Sequence, residues 1–320
     1  MFNNETDTLK NYSEETLIQH IKEWLGTSSP PSPFGIGDDC AVFSQSETIP
    51  SIVSTDALIY GRHFDDSIKA HDAGRKLTLR NLSDIAAMGG SPTIATLSII
   101  TSKTLGHSWL AEFYRGIKSV ADHYALKIVG GDLSALEGDH FQAVMTIIGS
   151  AKNPILRHSA KPNDYLYVTG HLGGSITGKH FDFTPRLKEG AWLSQQGCTT
   201  SMVDITDGLS KELKYLLSKN TAASIDLNRI PIAENIQNDP SKNIEKTLQH
   251  AFCDGEDYEL LFSIDAKTDI AAFEAKWQST FPKLALTLIG TVNPSKEYDG
   301  HILDQSTQKT IEFGSGFEHF

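Results

Sequence analysis

The chain has 320 residues, 39% hydrophobic and 21% charged, an ordinary globular composition with room for one large or two ordinary domains. Its 28 Lys and Arg stand against 40 Asp and Glu, a formal net charge of −12. That argues against bulk nucleic-acid binding, which needs basic surface to displace counterions, but not against a phosphorylated small molecule screened by cations. Cys40, Cys198 and Cys253 are scattered and odd in number, so neither a disulfide framework nor a paired-cysteine zinc site is expected. The N-terminus MFNNETDTLK has no apolar signal-like core, and the longest apolar runs are strand-sized. The expectation is a soluble, cytoplasmic protein.

In chain order, SEETLIQHIKEWLG predicts a helix that Ser13 can cap, with Leu17, Ile18, Ile21, Trp24 and Leu25 as its apolar stripe. The Pro- and Ser-rich SSPPSPFGIG then breaks regular structure. Strand-like runs follow in AVF, PSIVSTDALI, TIATLSII, ALKIVGG and QAVMTIIGSA, with helical patterns around residues 71–88 and 107–124. Strands alternating with helices predict an α/β (α+β) domain of roughly 150 residues. After RHSAKPND the pattern restarts with YLYVTGHLGG, helical stretches, SIDLNRI and YELLFSI. A boundary near Asn153 gives two domains, 1–152 and 153–320.

Six stretches share one grammar, an Asp beside Gly, Ser or Thr where a periodic run ends: GIGDD, VSTDALI, NLSDIAAMGG, IVGGDLS, VDITDG and CDGEDYELLF. Singly, each reads as a turn or a cap. Together, lacking matched cations, such carboxylates would repel unless a metal held them, and Asp, Ser and Thr oxygens favour Mg²⁺ over zinc. In HDAGRKLTLRNLSDIAAMGG, Leu79, Leu82 and Ala86 share one helix face while Arg80, Asn81 and Asp84 share the opposite one. Asp84 then either looks away from the core as a ligand or pairs with Arg80 four residues earlier, and periodicity alone does not choose. In VDITDGLSKELKYLL the stripe of Leu209, Leu213, Leu216 and Leu217 puts Asp204, Thr206 and Asp207 at a helix start, two more polar residues than one cap needs. GGSITGKH, residues 173–180, nearly spells a P-loop, but His180 stands where a hydroxyl should bind Mg²⁺. A glycine-rich loop with a chance lysine is the preferred reading there.

GIGDDCAVF, VSTDALIYGRHF, NLSDIAAMGG, IVGGDLS, DITDG, GEDYELLF and GFEHF, in that order along nearly the whole chain, resemble the thiamine-monophosphate kinases. That family shares a superfamily with aminoimidazole-ribonucleotide synthetase, selenophosphate synthetase and a hydrogenase-maturation enzyme. The resemblance implies an N-terminal α/β domain whose strands pair with a second subunit's to form an intersubunit barrel. It implies a C-terminal α/β domain and ATP lying in a cleft between acidic loops. The implied reaction moves the γ-phosphoryl group directly onto thiamine monophosphate, giving thiamine diphosphate and ADP. It also implies several Mg²⁺ ions and a homodimer, with no nucleic-acid or membrane partner.

By the same resemblance Asp39 binds metal and Asp38 supports the turn or a neighbouring metal, while Ser54, Thr55, Asp56, Asp84, Asp132, Asp204 and Asp207 are further metal ligands, with catalysis depending on Asp207. Gly131, Asp132, Arg157 and Thr206 contact ATP, and Tyr124 packs near the nucleotide. His63 and Glu256 touch thiamine monophosphate, on which Phe317, with Phe313 as alternative, stacks. His63 also has a plain reading as a satisfied loop histidine. Three rivals stand beside this: another enzyme of the superfamily, a non-catalytic nucleotide or metal sensor on the same fold, and a P-loop NTPase built on GGSITGKH.

Overall fold

Alternating small, apolar and polar residues in the first strand-like runs build a sheet with two unlike faces. The computed structural model describes residues 8–12, 14–31, 50–237 and 243–314; GIGDD and AVF, with Asp38, Asp39 and Cys40, and the terminal Phe317 lie outside the described residues. The chain divides into two units, Met1–Ile85 with Ser91–Lys152, and Ala86–Gly90 with Asn153–Phe320. The first contains α1 (Glu14–Leu25), β1 (Ser51–Ile59), α2 (Ala70–Ala87, whose last two residues cluster with the second unit), β2 (Ser91–Ser102), α3 (His107–His123), β3 (Lys127–Leu136) and β4 (Phe141–Ser150). Its strands lie in the order β1-β4-β2-β3; β4 runs antiparallel to β1 and β2, and β3 is parallel to β2.

On β4, Phe141, Ala143, Met145 and Ile147 are buried while Gln142, Val144, Thr146 and Ile148 between them are only half-buried. The buried face carries the helices. Trp109 and Phe113 of α3 pack edge-on to Phe141 at 4.8 and 5.1 Å between ring centroids. The opposite face is open: Val53 of β1 is 67% exposed and Leu136 of β3 is 51% exposed. The stripe on α1 docks beside α3, where His20 Nδ1 lies 3.1 Å from His107 Nε2 and Tyr12 stacks on His107.

The second unit contains β5 (Tyr165–Thr169), α4 (Leu187–Gln196), β6 (Thr199–Asp204), α5 (Leu209–Leu216), β7 (Thr221–Ile225), α6 (Glu234–Gln237), α7 (Ile244–Cys253), β8 (Leu260–Ile264), α8 (Ile270–Thr280), β9 (Leu286–Pro294) and β10 (Ile302–Asp304). These strands form one sheet ordered β10-β7-β9-β5-β8-β6, antiparallel except for β10 beside β7. Both faces are covered, so its strands read as near-continuous apolar runs. Leu166, Val168 and Leu261 point to one core, with Leu209, Leu213 and Leu216 of α5 and Phe252 of α7. Tyr167 and Phe262 point to the other, with Leu193 of α4 and Phe273 and Trp277 of α8. Among the described residues no helix is long and apolar enough to cross a membrane.

Candidate active site

In the first unit the S-T-D triplet lies inside β1, where successive side chains must point to opposite faces. Ser54 and Asp56 face α2, and Thr55 faces the open side. Ser54 Oγ donates a hydrogen bond to Asp84 of α2. Asp56 meets Arg80, whose Nε is 3.2 Å and Nη2 3.3 Å from its carboxylate, while Arg80 Nη1 donates to the Ala57 carbonyl at 3.0 Å. The partner of Arg80 on β1 is thus Asp56. The polar face of α2 is also no solvated face: Asn81 is 0% exposed and its side-chain amide donates to the Leu77 carbonyl at 2.9 Å.

Thr55 Oγ1 donates to the Met145 carbonyl at 3.0 Å and lies 3.0 Å from Thr146 Oγ1. The register places Asp132 opposite Ser98, so its side chain shares the open face with Thr55 and Thr146, and Ser134 Oγ donates to it at 2.8 Å. Asp132 is three strand spacings from Thr55, about 14 Å at roughly 4.8 Å per spacing. The five candidate ligands of this unit that are among the described residues therefore do not converge. Ser54 meets Asp84, Asp56 is held alongside by Arg80, and Thr55 and Asp132 lie across the sheet, far apart.

Gly131 has a packing reason of its own: a Cβ there would lie 1.9 Å from the Leu97 carbonyl oxygen of β2. Gly131→Ala is expected to cost about 1–3 kcal/mol in chemical denaturation, whatever it does to ATP binding. A loss below about 0.5 kcal/mol would mean that β3 shifts without cost.

The GRHF segment is a turn closing on the end of β1. The Ile59 N–H donates to His63 Nδ1 at 2.9 Å, and the buried Lys76 ammonium donates to the His63 carbonyl at 3.1 Å. One ring nitrogen of His63 is thereby committed to the turn. Tyr124 follows the last residue of α3, its ring beside that of His123 at 4.6 Å.

In the second unit β6 ends on the buried Asp204, and three residues, Thr206, Asp207 and Gly208, lead from Ile205 into α5. Glu212, from the first turn of α5, accepts from Thr206 Oγ1 at 3.2 Å and from the Asp207 N–H at 3.3 Å. Burial, with the charges of Asp204 and Asp207 adding to it, pushes the Glu212 carboxyl up to about 7. Lys211 pairs with Asp207 at 2.5 Å. Arg157 is exposed, its guanidinium 5.3 Å over the Tyr215 ring.

Three backbone hydrogen bonds join this turn to the GEDYE segment: Ile205 N–H to Glu259 O at 2.8 Å, Tyr258 N–H to Ile205 O at 2.9 Å and Glu256 N–H to Thr206 O at 2.8 Å. Gly255 makes the approach possible, with φ +70° and a Cβ position 2.4 Å from the Thr206 oxygen. Glu256 and Tyr258 both adopt positive φ, +55° and +52°, a costly conformation for side-chain-bearing residues that clusters at functional sites. The turn carrying Asp204 and Asp207 and the segment carrying Glu256 thus form one bonded loop pair.

The four carboxylates of 254–259 are each answered. Asp254 lies 2.7 Å from His250 Nδ1 and accepts from the Gly174 N–H at 3.3 Å. Glu256 lies 2.7 Å from His180 Nδ1. Asp257, fully buried, accepts from the Gly173 N–H at 2.9 Å and from Ser175 Oγ at 2.5 Å, and burial pushes its carboxyl up to about 7. Glu259, also buried, accepts from Arg186 Nε and Nη2 at 2.7 Å each, Lys179 Nζ at 2.9 Å and Thr169 Oγ1 at 2.8 Å. The Gly173 and Gly174 amides and the Lys179 ammonium of GGSITGKH are therefore spent on carboxylates of the protein itself, which removes the P-loop reading. Phe313 packs on Phe252 at 4.8 Å against the core, and Cys253 Sγ donates to its carbonyl at 3.0 Å.

Among the described residues no three His, Cys, Asp or Glu side chains come close enough to hold a metal by themselves. The candidate donors are nonetheless hard oxygens throughout, and the charges of Asp204 and Asp207 act on the buried Glu212, a repulsion that a cation would relieve. Mg²⁺ suits such a place, since it is usually held by one or two carboxylates together with substrate phosphates and water.

Residues 37–151 match the family described as AIR synthase related protein, N-terminal domain. A thiamine-monophosphate kinase of Rhodopirellula baltica is 35% identical over 244 residues, 73% of this chain and 77% of that one. One of Buchnera aphidicola subsp. Schizaphis graminum is 34% identical over 310 residues, 89% of this chain and 92% of that one. The solved structure of AaThiL complexed with AMPPCP and TMP superposes with a TM-score of 0.73 at 25% identity, over 98% of this chain and 99% of that one. With a match of that identity running through both the strands of the first unit and the paired acidic loops of the second, this chain belongs to the thiamine-monophosphate kinase family.

Proposed function

We propose that this protein transfers the γ-phosphoryl group of ATP to thiamine monophosphate, forming thiamine diphosphate and ADP. One observation supports the reading beyond family membership: Ile205 and Thr206, which lie between Asp204 and Asp207, are hydrogen-bonded through the backbone to the loop that presents Glu256. A nucleotide-metal site and a carboxylate fit for a cationic thiazolium would thereby be held in one frame. The acceptor is a phosphate oxygen already ionised at neutral pH, so the chain needs no strong general base. Its task is to bind, orient and neutralise. Mg²⁺, when bound, screens the two phosphate groups from each other and stabilises the charge of the transferring phosphoryl group. Asp207, Asp204, Asp84, Ser54 and Asp56 would hold such ions, with Asp39, Thr55 and Asp132 as further candidates. Thr206, Arg157 and Gly131 would meet the nucleotide, and His63, Glu256 and Phe317 the acceptor. Residues 1–152 would thus supply metal, nucleotide, acceptor and dimer contacts, and 153–320 further metal, nucleotide and acceptor contacts. A reaction that consumes ATP fits a cytoplasmic protein.

The experiment is ADP release with ATP and Mg²⁺, comparing thiamine monophosphate, thiamine and no acceptor. Turnover with the monophosphate alone is expected; equal turnover without acceptor would overturn the reading.

We also propose a homodimer in which the open face of the first sheet pairs with its copy. Val53 and Leu136 leave large apolar side chains on the surface of that sheet, and a monomer rarely exposes such a face without a use for it. Val53→Asp is expected to shift the sedimenting species from dimer to monomer. A wild-type protein that sediments as a monomer at micromolar concentration would sink the proposal.

A further inference from the structure

The loop 173–180 mimics a nucleotide-binding motif, yet its groups meet all four carboxylates of 254–259: Gly174 meets Asp254, His180 meets Glu256, Gly173 and Ser175 meet Asp257, and Lys179 meets Glu259. Three of these contacts are structural in character, since Asp257 and Glu259 are fully enclosed and Asp254 is shared with His250 of α7. The fourth differs. Glu256 keeps about a quarter of its side chain accessible, and its backbone stands in the left-handed region. Its Oε2 takes His180 Nδ1 at 2.7 Å, and its Oε1 accepts from the Tyr258 hydroxyl at 3.4 Å. A carboxylate cannot donate, so the imidazole N–H is the donor and the bond is charge-assisted. The imidazole is buried and in contact with the Phe181 ring, with centroids 3.9 Å apart, while Phe183 stacks on Tyr258 at 3.8 Å. The histidine is thus fixed and the glutamate leans on it.

We propose that His180 is a positioning residue for acceptor recognition: it pins one oxygen of Glu256 so that the other is presented to the cationic ring of the acceptor. This rests on the kinase reading above and adds to it a residue that touches no reacting atom. The mismatch that spoils the P-loop pattern, a histidine in place of Ser or Thr, is then the residue with a use. A bare carboxylate on a strained turn would sample several rotamers, and ordering it at each binding event weakens affinity for the acceptor rather than for the nucleotide.

The test is steady-state kinetics of full-length wild type, His180→Ala, His180→Gln and Glu256→Gln, with thiamine monophosphate and ATP varied separately. Loss of one charge-assisted hydrogen bond predicts that His180→Ala raises the KM for thiamine monophosphate by about tenfold or more, while the KM for ATP and the thermal midpoint barely move. His180→Gln, whose amide N–H can still donate, should recover part of the loss. Two results would overturn the proposal: an unchanged acceptor KM in His180→Ala where Glu256→Gln raises it, or equal rises in both KM values with a lowered thermal midpoint that His180→Gln does not repair. Absence of wild-type turnover with thiamine monophosphate would instead remove the kinase reading, and this inference with it.

Discussion

Asp207→Asn is expected to lower kcat on the order of 10²- to 10³-fold, the size of effect seen when one stabilising group at a developing charge is removed, with little change in stability. The reasons are local. Asp207 sits where β6 gives way to α5, its N–H tied to Glu212 and its carboxylate paired with Lys211. An asparagine keeps the shape and the backbone bond, and its carbonyl can still accept from Lys211. Only the negative charge is lost, and that charge is what a Mg²⁺ ion held here would require. The Asp207 hydrogen bond raises the Lys211 ammonium above its ordinary value. Single-turnover measurement at saturating ATP separates loss of chemistry from loss of binding. A kcat within tenfold of wild type would remove Asp207 from the catalytic role.

Glu259→Ala is expected to be the most damaging substitution to stability in the second unit, costing about 3–5 kcal/mol. Glu259 is 1% exposed and accepts four hydrogen bonds, two of them from the planar fork of Arg186. Truncation leaves the Arg186 guanidinium beside an empty space and removes the partner of Lys179. Burial by itself would raise the Glu259 carboxyl, but Arg186 and Lys179 outweigh it and hold the group below its ordinary value of 4.5. A depressed folded-state pKa stabilises above the ordinary value and loses that contribution as pH falls through the folded one. The difference between wild type and Glu259→Ala in urea unfolding should therefore be full at pH 7 and shrink on acidification below about 4.5. A difference under 1 kcal/mol at pH 7, within the range of a surface ion pair, would mean that the cluster merely breaks even. Lys179→Ala should show the same kind of destabilisation without selective loss of ATP affinity, since its ammonium is employed by Glu259.

Local periodicity in the sequence suffices for most of the elements near the site. The stripes of α1 and α5, the helices near 71–88 and 107–124, and the strands that became β1 to β5 follow from 3.6- and 2-residue repeats and from Gly and Pro punctuation. The order of the acidic motifs likewise sufficed to place the chain in its family. Side-chain direction in β1 was legible too, because alternation alone separates Thr55 from Ser54 and Asp56. What no local pattern carries is which groups meet across long separations. Arg80 is four residues from Asp84 yet pairs with Asp56, 24 residues away, because the sheet brings β1 under α2. Glu212 went unnoticed because a glutamate in a first helical turn looks like an ordinary dipole partner; only its burial beside Asp204 and Asp207 gives it another meaning. GGSITGKH spells an anion-binding loop and is one, but its anions lie some 80 residues later in the same chain. By itself the sequence determined the repeating elements and the chemistry available to them, since both are properties of neighbouring residues. The tertiary structure decided which carboxylate each cation and amide serves, because burial forces every polar group to find a partner wherever the chain path brings one.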